Sequence, residues 1–95
     1  MIDFYSIEDR EKSGRPLFSI DAGRTGSAGT RLCEKFQERT GLFIDPYGDT
    51  KVLAPHCATL CALMKEDALG DWEDAIRVLD DINDLGRAGL IAVGD

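Results

Sequence analysis

The order of short apolar runs and longer helix-period segments predicts an α+β domain, a small and mainly antiparallel sheet of about four strands packed with three helices in the order ββαβ(β)ααβ. Three observations carry this. Two short apolar runs near the N-terminus are split by a charged turn. Two later segments repeat apolar residues at helical spacing, with a third segment between them that is apolar on most sides. The chain then ends on a compact Leu-Ile-Ala-Val run. With 95 residues it forms a single domain, 1–95, and 43% hydrophobic residues suffice for one core.

Residues 1–7 read as a first strand on Ile2 and Phe4, and residues 16–20 as a second, hairpin-paired with it across the charged turn 8–14. The Gly- and Ser-rich stretch 21–29 is a loop. A helix is expected over 28–40, with Ala28, Leu32, Cys33 and Phe36 on its buried face and Gly41 closing it in the left-handed conformation. Residues 42–45 read as a third strand and 46–49 as a turn, with Asp45 placed to bond the turn backbone through its side chain. Residues 51–53 are either a short return strand or an extended lead into the next helix. Pro55 suits that helix's first turn, and Cys57, Ala58, Leu60, Cys61, Leu63 and Met64 make it the central helix of the core to about Glu66. After a linker at 67–70, Asp71 is positioned to cap the last helix. Trp72, Ala75, Ile76, Leu79, Ile82 and Leu85 give its apolar stripe, and Glu73, Asp74, Asp80, Asp81 and Asp84 its polar face. Gly86 or Gly89 ends it, and 90–93 form the final strand.

Charge is unevenly spread. The chain has 11 basic and 18 acidic residues, a formal net charge of −7. Residues 65–95 hold nine of the acids against Lys65, Arg77 and Arg87, so most of the excess lies in the last third. Such a surface repels the phosphates of nucleic acid and of anionic membranes, and it draws in basic surfaces. Neither nucleic acid nor membrane is therefore expected as a partner. The start of the chain lacks a basic segment followed by an apolar one, and no apolar run approaches a membrane span. Together with an odd count of three cysteines, this places the protein in a reducing cytoplasm as an expectation.

Motifs for chemistry are sparse. The loop from Gly23 to Gly29 lies between a strand and a helix, where helix-start amides bind anions, but it lacks the lysine that a phosphate loop needs. A nucleotide site there stands as the minor alternative to a plain connector. Cys57 and Cys61 share one helix, with Cys33 the sole distant thiol, which suits small apolar side chains better than a closed zinc site. His56 beside Cys57 points about 100° away from it on a helix and is expected to be exposed. No catalytic residue, cofactor or metal is expected.

The stretch Thr40-Gly-Leu-Phe-Ile-Asp-Pro-Tyr-Gly-Asp-Thr-Lys-Val-Leu-Ala-Pro55 and the close Ala88-Gly-Leu-Ile-Ala-Val-Gly-Asp95 resemble small bacterial immunity proteins, which are encoded beside polymorphic or contact-delivered toxins. The resemblance spans residues 40–95. It implies a stoichiometric inhibitor without catalytic residues, and a partner that is a cognate toxin. The acidic surface suggests that this toxin carries a basic active-site cleft. Asp45, Tyr47 and Asp49 match the turn motif. Asp74, Asp80, Asp81 and Asp84 form the acidic strip expected to face the partner. Small size and acidity equally fit a phage-encoded inhibitor of the anti-CRISPR or DNA-mimic type.

Overall fold

The computed structural model describes residues 1–8, 14–22, 26–67 and 70–94. Strand β1 (Ile2–Ser6) and β2 (Phe18–Ile20) precede helix α1 (Ala28–Thr40). Strand β3 (Asp49–Leu53) runs directly into α2 (Ala54–Glu66), which is followed by α3 (Glu73–Asp84) and β4 (Gly89–Gly94). The four strands form one sheet in the order β2-β1-β4-β3, and every neighbouring pair is antiparallel. The α+β class, the number of strands and helices and their order agree with expectation.

Alternation sorts the sheet into two faces. Ile2, Phe4, Phe18, Ile20, Val52, Leu90 and Ala92 are buried under the helices. Their pairing aligns Phe4 with both Phe18 and Ala92, and Val52 with Leu90. The rings of Phe4 and Phe18 stack with centroids 4.5 Å apart. The helices complete this core with Leu32 and Phe36 from α1, Cys57, Leu60, Cys61, Leu63 and Met64 from α2, and Ala75, Leu79 and Ile82 from α3. Fully burying side chains of this size stabilises by about 1.5–3 kcal/mol each. The central position of α2 follows from its composition: it packs on both α1 and α3, so it needs apolar residues on more than one side.

Gly41 closes α1 as expected, and Ser27 caps its start, a cap not assigned from the sequence. Ser27 accepts from Thr30 N–H at 3.2 Å, and Gly41 closes the helix at φ 77° with its N–H donated to the Gln37 carbonyl.

Five local expectations are corrected. Residues 42–45 are not a strand: Ile44 is buried in the core, and among the described residues no strand pairs with this segment. The strand of this region is β3, which pairs with β4. Helix α3 starts one residue later than an Asp71 cap requires. Trp72 takes the cap position, while Asp71 Oδ1 accepts the Glu73 N–H at 3.4 Å and Trp72 Nε1 donates to Asp67 at 2.9 Å. Leu85 lies beyond the last helical residue and is 64% exposed, outside the apolar stripe. His56 is half-buried, edge-on to the Phe36 ring at 6.1 Å. Asp80 leaves the polar face of α3 and enters its seam with α2. The expected turn at 8–14, loop at 21–29 and linker at 67–70 fall partly outside the described residues, as does Asp95.

Candidate functional site

The turn after residue 44 is fixed from several directions. Asp45 Oδ1 accepts the Tyr47 N–H at 2.9 Å, closing the side-chain turn that the sequence suggested. Asp45 N–H donates to Thr50 Oγ1 at 3.0 Å, and Gly94 N–H donates to the Gly48 carbonyl at 2.8 Å. Gly94 lies so close to the Pro46 backbone that a Cβ there would collide with it. The turn is thereby stitched to the end of β4. On this support Tyr47 is 81% exposed, and Phe43, three residues before Pro46, is 55% exposed. Exposed aromatics on a rigid backbone lose little conformational entropy on binding, which is why Tyr is enriched at binding hot spots.

The carboxylates of α3 divide into three kinds. Asp74 and Glu73 occupy the first turn, where negative charge suits the helix dipole, and both lie within 4.0 Å of Arg77. Asp80 Oδ1 is 3.2 Å from Lys65 Nζ and accepts from Cys61 Sγ at 3.5 Å, so it fastens α3 to α2. The hydrogen bond to Asp80 raises the Lys65 pKa. Asp81 and Asp84 are exposed near the C-terminal end, which has no basic residue in its last turn. Negative charge there opposes the dipole, at a cost of about 0.3–1 kcal/mol each. Asp81 lines an open cleft of about 290 Å³ with Ser6, Leu17, Val78, Ile82 and Arg87, floored by Leu90.

The two groups of expected site residues do not meet. The turn 45–49 sits at the Gly94 end of β4, whereas the Asp81 cleft sits at its Gly89 end. At about 3.3 Å per residue the strand separates them by roughly 16 Å. Phe43 was absent from the expected site. Between Leu42 and Ile44 it belongs to a continuous apolar run, in which sequence alone does not separate an exposed aromatic from its buried neighbours.

Groups suited to covalent or metal chemistry are held in other work. Burial pushes the Cys33 and Cys57 thiols up to about 11, with Glu34 adding to the effect at Cys33. Burial also raises Cys61, helped by its bond to Asp80. These thiols stay protonated and unreactive at neutral pH. Among the described residues, no group of three or more His, Cys, Asp or Glu could hold a metal ion. Of the Gly23–Gly29 loop, Gly26–Gly29 are described. Ser27 donates to the Asp21 carbonyl and Thr30 to the Ala22 carbonyl, each at 3.2 Å, and Gly29 packs against the Asp21 backbone. These bonds tie the start of α1 to the residues that follow β2. No helix among the described residues is long and apolar enough to cross a membrane.

No family model, no curated protein and no solved structure matches this chain.

Proposed function

We propose that this chain is an immunity protein, a cytoplasmic stoichiometric inhibitor that binds a cognate bacterial toxin and neutralises it. The observation that carries the reading is Tyr47, almost fully exposed on a turn held by Asp45, Thr50 and Gly94. A large amphipathic side chain on a prearranged support is suited to insertion into a partner. The acidic end of α3 supports the same reading. Asp81 and Asp84 are kept where they weaken the helix, and a basic toxin surface would compensate that cost on binding. The proposed contact residues are therefore Asp45, Tyr47 and Asp49 at the turn and Asp74, Asp81 and Asp84 on the helix. Asp80 serves mainly to join α2 and α3.

The test is co-expression with the product of the adjacent gene, scoring host survival and co-purification. Rescue with a stable complex is the expected result. Toxicity without rescue or complex overturns the pairing. Within a complex, reversing the charge of Asp74, Asp81 and Asp84 together is expected to slow association and flatten its salt dependence.

A further inference from the structure

The cations in the last third of the chain have different surroundings. Lys65 pairs with Asp80, and Arg77 reaches Glu73 and Asp74. Arg87 forms no side-chain ion pair among the described residues, although nine acidic residues lie between 65 and 95. The same is true of Asp81, yet both residues line the cleft of about 290 Å³ at the end of α3. A surface pair between them would contribute little in water. Apart, each keeps its charge for a ligand. The position of Arg87 is set by the helix end: its N–H donates to the Ile82 carbonyl at 3.0 Å, and Gly86 takes the left-handed conformation at φ 65°. Ser6, also at the cleft, accepts the Glu8 N–H on Oγ at 3.3 Å, which leaves its hydroxyl proton to be donated. The rest of the lining is mainly apolar, with Ile82 and Leu90 buried and Leu17 46% exposed.

We infer that this cleft binds a free α-amino acid with an apolar side chain. Asp81 accepts from its ammonium group, Arg87 and Ser6 donate to its carboxylate, and its side chain lies against Leu17, Ile82 and Leu90. The mixture of groups selects this class. A simple cation is repelled by Arg87 and a simple anion by Asp81. An uncharged apolar molecule would take water from both charges and return no hydrogen bond. A molecule carrying both charges on one carbon, with an apolar body beside them, satisfies all three parts of the lining. At about 290 Å³ the cleft lies at the small end of the roughly 300–1,000 Å³ found for ligand sites, which suits a molecule of this size and not a nucleotide. The inference does not rest on the toxin reading. The two share Asp81, so a bound amino acid would compete with a toxin for that carboxylate.

The probe is L-leucine, titrated into isotope-labelled protein and followed by amide shifts. Two analogues run beside it: leucinamide, which lacks the carboxylate, and N-acetyl-leucine, which lacks the ammonium. The expected result is saturable shifts centred on Ser6, Leu17, Ile82 and Arg87, with leucine bound about tenfold tighter than either analogue. Arg87→Gln should weaken leucine by about tenfold and leave leucinamide unchanged. Asp81→Asn should weaken leucine to a similar extent and leave N-acetyl-leucine unchanged. Both side chains are exposed, so the fold should survive either change. Absence of saturable shifts with leucine, or equal affinity for leucine and both analogues, would overturn the inference. So would variants that weaken all three ligands alike, which is the mark of a merely structural role. A blocked Lys-Leu-Glu peptide that binds where leucine does not would assign the cleft to a protein segment and overturn it too. If a variant fails to fold, the three ligands on the wild type still decide.

Discussion

Two acidic regions, the turn at Asp45–Asp49 and the C-terminal end of α3, use the same side chain in opposite ways. In the turn, Asp45 accepts a backbone N–H and its own N–H is bonded to Thr50, so the carboxylate shapes the chain. At the end of α3, Asp81 and Asp84 are exposed against an unfavourable dipole, with Asp84 also close enough to Lys65 to favour its charged form. One carboxylate contributes stability and directs a neighbour, Tyr47, outward. The others lower stability and leave charge on the surface. Counting acids does not distinguish them, whereas their backbone surroundings do. Asp80, one turn before Asp84, is a third case because Lys65 and Cys61 draw it into the seam between helices.

The largest expected effect removes the support that both regions share. Cys33 and Cys57 lie in the helix layer with pKa values raised from 9.0 to about 11 by burial. Above pH 9 the unfolded thiols lose protons that the folded ones retain, so the unfolded state gains. Stability is therefore full below pH 9 and falls as pH rises towards 11, by on the order of a few kcal/mol in denaturant titrations. A flat profile between pH 8 and 11 would contradict the burial of these thiols.

Next comes a selective break at the turn. Gly94→Ala places a methyl group against the Pro46 backbone and is expected to cost about 2 kcal/mol in urea unfolding. Its amide shifts should centre on residues 45–49 and spare α3. Asp45→Ala removes the acceptor of the Tyr47 N–H and is expected to cost about 1 kcal/mol. A loss at Asp45 no larger than that of an exposed Asp→Ala change would remove the contrast between the two regions.

The smallest effect has the opposite sign. Asp84→Lys puts a cation at the negative end of α3 and is expected to stabilise by about 0.5 kcal/mol, less at high salt. The same change is expected to weaken association with a basic partner. Stabilisation together with weaker binding would show that the charge is retained at a stability cost. Destabilisation would mean that Asp84 has a local structural role.

Much of the fold was legible because its signals are local. The stripe of Leu32 and Phe36, the Gly41 cap and the Asp45 turn each depend on residues within a few positions, and each formed as expected. The errors came where an outcome depends on distant chain. Residues 42–45 have strand composition, yet the ladder with β4 is formed by Asp49–Leu53, nearly forty residues earlier in the chain, and Ile44 turns into the core. Asp80 follows the polar-face pattern of α3, yet Lys65 of a different helix captures it.

By itself, then, the sequence determined the class of the domain, its helices, its capped turn and the placing of negative charge in its last third, since periodicity, capping and charge are carried by near neighbours. Tertiary structure alone decided that the first and last strands would lie side by side at the centre of the sheet and that β3 would be left at its edge. It also decided that the two expected contact patches would stand at opposite ends of β4. Those outcomes follow from which apolar faces can be buried together, a property of the whole chain that no local window contains.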